Sequence, residues 1–126
     1  MRANDWLVGF LPSPNRGVYR LFAGKSHCFC LRFDVSFNRW VLVEQSVVGL
    51  DVQIVAEYQA EAIIGCCLAN GSLLKVKGGR KRIVQRPALL MTCTEVVKAQ
   101  LGIRDWRIWT PNQLRSALLK RGARSI

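Results

Sequence analysis

The chain has 126 residues, half of them apolar and 9% aromatic, which suits one folded domain spanning residues 1–126 and is too apolar for a disordered chain. No apolar run reaches the length of a membrane span, no signal peptide is visible, and five cysteines, an odd number, suit free thiols in a reducing cytoplasm. Residues 1–63 carry six basic and six acidic side chains, whereas residues 64–126 carry thirteen basic against Glu95 and Asp105, so the whole formal charge of +11 lies in the second half.

In chain order, Trp6 to Leu11 is a short apolar piece, followed by the loop PSPNRG with Pro12, Pro14 and Gly17. Val18 to Phe22 reads as a short strand or helix leading into AGKS. That segment is no phosphate-binding loop, because the earlier glycine is replaced by Tyr19. His27 to Phe33 (HCFCLRF) and Arg39 to Gln45 (RWVLVEQ) are the clearest strands, rich in aromatic and β-branched residues, with DVSFN as their turn. Paired as a hairpin, they bring His27 near Glu44 or Gln45, according to register. Val47 to Val55 adds a further strand, and AEYQAEAIIGCCLA, from Ala56, is a helix stopped at Asn70-Gly71.

Ser72 to Gln85 reads as a second hairpin, SLLKVK and RKRIVQ joined by Gly78-Gly79, in which Lys77 faces Arg80 and Lys75 faces Arg82. Such a quartet of cations is either solvated or holds an anion. Residues 90–103, LMTCTEVVKAQLGI, contain the capping box TCTE: Thr92 is the N-cap, Glu95 its reciprocal partner, and Cys93 the first helical residue, with Val97 and Leu101 on the same face. Gly102 ends that helix and RDWRIW is an expected strand. In the closing TPNQLRSALLKRG helix, Thr110 caps, Pro111 fills the first turn, Gln113 completes a second capping box and Gly122 stops it, with a stripe of Leu114, Ala117, Leu118 and Arg121. No internal repeat, linker or low-complexity segment is present. The expected fold is α+β, an antiparallel β-sheet packed with helices.

A thiol at a helix N-terminus meets unpaired N–H groups and the positive end of the helix dipole, both of which favour thiolate. The plain alternative for Cys93 is a small apolar core residue. Covalent catalysis also needs a base and a group that orients it. His27 is the single imidazole of the chain, and Glu44 or Gln45 stands beside it. Cys28 and Cys30 share a strand face and Cys66-Cys67 lie at a helix end, but neither CxC nor CC is a zinc-knuckle spacing. No metal and no cofactor are therefore expected, and these four cysteines are expected to be buried.

The order of strand with histidine, strand with a polar residue, further strands and then cysteine at a helix N-terminus resembles the circularly permuted papain-like fold. Its members include bacterial cell-wall peptidases and amidases and the lecithin:retinol acyltransferase-like enzymes. The similar segments are His27-Cys28-Phe29-Cys30, Trp40-Val41-Leu42-Val43-Glu44-Gln45 and Thr92-Cys93-Thr94-Glu95-Val96-Val97, within roughly residues 20–119. The closing LGI…TPNQL also resembles small phage and bacterial proteins of the same layout. The resemblance implies that the cysteine helix follows the main strands, with Cys93 as nucleophile, His27 as base and Glu44 or Gln45 orienting the ring. The helix N-terminus would supply an oxyanion donor. The implied reaction is hydrolysis or transfer at the amide or thioester bond of a peptide-like or acyl substrate, through an acyl-cysteine intermediate.

The charge asymmetry supports a second class of function. A non-catalytic basic module, or a phage accessory or structural protein, would use residues 72–124 to contact nucleic acid or another polyanion. Trp106 and Trp109, interleaved with Arg104 and Arg107, suit bases and phosphates, although strand alternation would leave one tryptophan in the core. Oligomeric state is not legible in this sequence.

Overall fold

A computed structural model describes residues 5–12, 26–46, 49–77, 93–105 and 107–126. The elements are β1 (Trp6–Pro12), β2 (Ser26–Asp34), β3 (Arg39–Ser46), β4 (Gly49–Val55), α1 (Glu57–Asn70), β5 (Ser72–Val76), α2 (Cys93–Leu101), α3 (Pro111–Lys120) and β6 (Arg124–Ser125). The strands form one sheet in the order β4-β3-β2-β1-β5-β6 with every neighbouring pair antiparallel. Over the described residues the fold is therefore α+β, a six-stranded antiparallel sheet with three helices. Among the described residues no helix is long and apolar enough to cross a membrane.

Both faces of the sheet are covered, and strand alternation sorts the side chains between them. On one face Val8, Phe10, Cys28, Cys30, Val43 and Leu74 pack against Val96, Val97 and Leu101 of α2 and Leu114 and Leu118 of α3. On the other, Leu7, Phe29, Leu31, Leu42, Val55 and Leu73 pack against Ala60 and Cys67 of α1. This double burial explains why HCFCLRF is almost continuously apolar instead of alternating.

The β2–β3 hairpin turns at Val35–Asn38, where Asp34 Oδ1 accepts the N–H groups of Ser36 and Phe37 at 2.9 and 3.3 Å. Asn38 takes the left-handed conformation (φ 51°) that asparagine tolerates. The resulting register sets Cys30 opposite Val43 and Asp34 opposite Arg39.

At α3 the Thr110 hydroxyl accepts the Gln113 N–H at 3.2 Å, and Gln113 Oε1 accepts the Thr110 N–H at 3.1 Å, a reciprocal capping box. Helices α2 and α3 close the same way. The Ile103 and Ala123 N–H groups reach back to the Lys98 and Leu118 carbonyls, across Gly102 (φ 70°) and Gly122 (φ 95°). At the end of α1, Gly71 is required by close approach: a Cβ there would lie 1.9 Å from the Phe10 carbonyl oxygen of β1. Neither backbone can yield without breaking the β1–β5 ladder. Gly71→Ala is therefore expected to destabilise the protein by at least about 3 kcal/mol, measured by urea unfolding.

Two sequence expectations change. RDWRIW is not a strand over its described residues. After Gly102 turns the chain, Asp105 Oδ1 accepts the Arg107 N–H at 3.0 Å and Lys98 Nζ donates to the Ile108 carbonyl at 3.0 Å, so local partners satisfy backbone groups that a ladder would have used. Strand β5 has β1 on one side, and on the other Leu74 and Lys75 pair with Ser125 and Arg124 of β6. The ladder neighbours of Lys75 are thus Leu7 and Arg124, which replaces the expected hairpin pairing. The RKRIVQ stretch lies outside the described residues, as do Val18 to Phe22, residues 23–25 of the AGKS segment, Thr92 and Trp106.

Candidate active site

Cys93 opens α2 and is packed against the start of β2, in the same buried cluster as Cys28 and Cys30. The Cys28 thiol and backbone and the His27 ring are the groups that act on its Sγ. Cys28 also meets the Thr94 hydroxyl, with 3.9 Å between Sγ and Oγ1. His27 is half-buried at the start of β2, and its Nε2 lies 3.5 Å from Glu44 Oε2. Its ring also lies beside Phe29, 6.3 Å between centroids. Four elements of the site therefore converge from three places in the chain: β2 supplies His27 and Cys28, β3 supplies Glu44, and α2 supplies Cys93.

Their surroundings push the two neighbouring thiols in opposite directions. The Cys28 thiol, the imidazole and the Cys28 backbone together outweigh burial and lower Cys93 from an ordinary 9 to about 4. Cys28 goes the opposite way, well above the ordinary value, because it donates to Cys93 and is buried beside it. The hydrogen bond to Cys93 raises His27 against the opposing effect of burial, and the Glu44 carboxylate adds to the rise. Burial alone pushes the Cys30 thiol up. The arrangement favours thiolate at Cys93 and the protonated ring at His27, with a carboxylate behind the imidazole and a second thiol beside the sulfur.

Of the two residues expected beside His27, Glu44 makes the contact, and the backbone of Gln45 pairs with Leu50 in β4. Cys67 is buried on the α1 side of the sheet and Cys66 is exposed, so this pair does not converge with Cys28 and Cys30 on the other face. Cys66 thus departs from the expectation that all four remaining cysteines are buried. Glu95 bonds Lys98 Nζ at 2.8 Å, and its expected capping-box partner Thr92 lies outside the described residues. The proposed anion quartet is not assembled among the described residues. Lys75 Nζ lies 3.6 Å from the buried Asp5 carboxylate, Lys77 is exposed, and Arg80 and Arg82 lie outside the described residues.

Cys28 is the site residue that sequence reasoning missed, and the signal was present. Alternation along HCFCLRF sends Cys28 to the face opposite His27, together with Cys30, which is the face that has to receive the Cys93 helix. The chain was compared with family models, curated proteins and solved structures, and none of the three comparisons finds a match.

Proposed function

We propose that the protein is a cysteine-dependent hydrolase or acyltransferase with a permuted papain-like arrangement, acting on an amide or thioester bond. The observation that carries this reading is the placing of Cys93, at the first turn of a helix, against the start of β2, where His27 acts on its sulfur and is itself backed by Glu44. That is the nucleophile, base and orienting group that acyl transfer through cysteine needs. The chain order, with histidine and carboxylate strands before the cysteine helix, supports the permuted arrangement.

In this mechanism the Cys93 thiolate attacks the carbonyl carbon of the acyl group. The carbonyl π pair moves to oxygen, and N–H groups of the first turn of α2 stabilise the oxyanion. His27, whose protonated form Cys93 and Glu44 favour, gives its proton to the departing amine or thiolate as the C–N or C–S bond breaks. Glu44 engages Nε2, so Nδ1 is the nitrogen that serves the reacting groups. Neutral His27 then takes a proton from water, or from an acceptor amine or alcohol, which attacks the acyl-cysteine and releases Cys93. The half-exposed His27–Glu44 rim is the side from which the acyl group enters, because Cys93 itself is only 7% exposed.

Incubation with a p-nitrophenyl ester or an acyl thioester is expected to add the acyl mass to the peptide carrying Cys93, read by mass spectrometry. In Cys93→Ser the adduct disappears and turnover falls by about three orders of magnitude or more. Turnover that survives in Cys93→Ser, or an adduct confined to the exposed Cys66, rejects the mechanism.

A further inference from the structure

We propose that the groove between the 103–110 loop and α3 binds single-stranded nucleic acid, with Arg104, Arg107, Lys120 and Arg121 meeting phosphates and Trp109 stacking on a base. Two adjoining cavities of about 470 and 620 Å³ meet here, sharing Asp105, Arg107 and Arg121, and the four cations stand against the single carboxylate of Asp105. Asp105 does not cancel the field evenly, because it is held by Arg107, whose Nε lies 3.2 Å and Nη2 3.4 Å from its two oxygens. The pairing fixes the guanidinium in place, and the side chain of Arg107 remains 74% exposed, leaving Nη1 to point at an anion.

Trp109 adds the second recognition element. It is 59% exposed, although an indole ordinarily buries most of its surface. Its backbone is tied beside the groove: the Trp109 N–H donates to Gln113 Oε1 at 2.8 Å, and Gln113 and the preceding Ile108 line the groove. A cationic groove with an exposed aromatic residue next to it in the chain suits a strand whose bases are unpaired, since a duplex keeps its base faces stacked inside and an acidic peptide offers carboxylates without a flat ring. The groove is built from the 103–110 loop and α3, apart from the Cys93 thiol and its partners, so the two readings stand or fall separately.

The test is fluorescence anisotropy of the full chain with labelled oligo-dT and oligo-rU, a matched duplex, and polyglutamate as competitor. With three or four phosphates engaged, single-strand affinity is expected to fall roughly 15- to 60-fold between about 50 and 200 mM salt. Trp109→Ala should weaken binding about 5- to 100-fold with the salt slope unchanged. Arg107→Gln/Arg121→Gln should flatten the slope by about 1.4. Arg39→Gln, an exposed charge on the β2–β3 hairpin, should leave binding unchanged, and so should Cys93→Ser. Stronger binding to dT or to rU identifies the strand as DNA or RNA. If the duplex or polyglutamate competes as well as the single strand, or if the groove variants bind like wild type, the proposal is wrong.

Discussion

Alkylation of Cys93 by iodoacetamide is expected to stay nearly constant from about pH 8 to about pH 5 and to fall only as pH approaches about 4, whereas glutathione slows about tenfold for each pH unit over that range. The shape of the profile carries the test, and the absolute rate does not. At about pH 6 an ordinary thiol is roughly 0.3% ionised and Cys93 almost fully so, an advantage of about 300-fold. A thiolate of so much lower basicity is also about 100-fold less nucleophilic, so the two effects nearly cancel. Burial of the sulfur lowers the rate further. A modest rate that ignores pH is therefore the signature of this site.

The same measurement separates the partners of the thiolate. Cys28→Ala removes the S–H donor that contributes most to the depression while keeping the backbone N–H, and His27→Ala removes the imidazolium. Each is expected to move the inflection upward by about one to three pH units. Peptide-resolved mass spectrometry keeps Cys93 distinct from the exposed Cys66. A Cys93 profile that runs parallel to glutathione, or one that neither substitution moves, removes the thiolate–imidazolium pair. The linkage to stability has opposite signs in the two partners. The depressed Cys93 contributes stability that is lost as pH falls through about 4. The raised His27 contributes stability that is lost as pH climbs through its elevated value.

Much of this architecture was legible because local signals agreed. DVSFN gave a turn, and the turn set a hairpin that delivered His27 to Glu44; alternation and burial then placed Cys28 and Cys30 toward α2. The TPNQ capping box and the glycines at 102 and 122 marked helix ends that the structure reproduces. The failures lie where a long-range partner outweighed local pattern. RDWRIW has strand composition, but Asp105 and Lys98 take its backbone groups, and no period in the sequence announces that a lysine side chain will do so. The partners of β5 were equally hidden. Pairing Lys75 with Arg124 closes a separation of 49 residues, and the two-residue β6 has no pattern of its own. The approach of Cys93 to Cys28 joins a helix to a strand 65 residues away, and only the sorting of β2 side chains between two covered faces pointed to it.

Lys98→Ala is expected to be among the most damaging single substitutions in the chain, costing about 3–5 kcal/mol, whereas Lys98→Met should cost no more than about 2. Lys98 is 1% exposed, and its ammonium donates to Glu95 Oε1 at 2.8 Å and to the Ile108 carbonyl at 3.0 Å. Alanine removes the buried four-carbon stem and the donor together, leaving a cavity and an Ile108 carbonyl without its ammonium. Methionine keeps most of the volume and escapes the cost of desolvating a charge, so its deficit is chiefly that carbonyl. Urea unfolding of the two variants separates packing from hydrogen bonding, and equal losses would show that the stem contributes nothing. The loop anchored by this ammonium carries Arg104, Arg107 and Trp109, so Lys98→Met should also raise amide exchange at Ile108 and Trp109 and weaken the groove's grip on a single strand. Protection of those amides at the wild-type level would mean that Asp105 and the α3 cap hold the loop unaided.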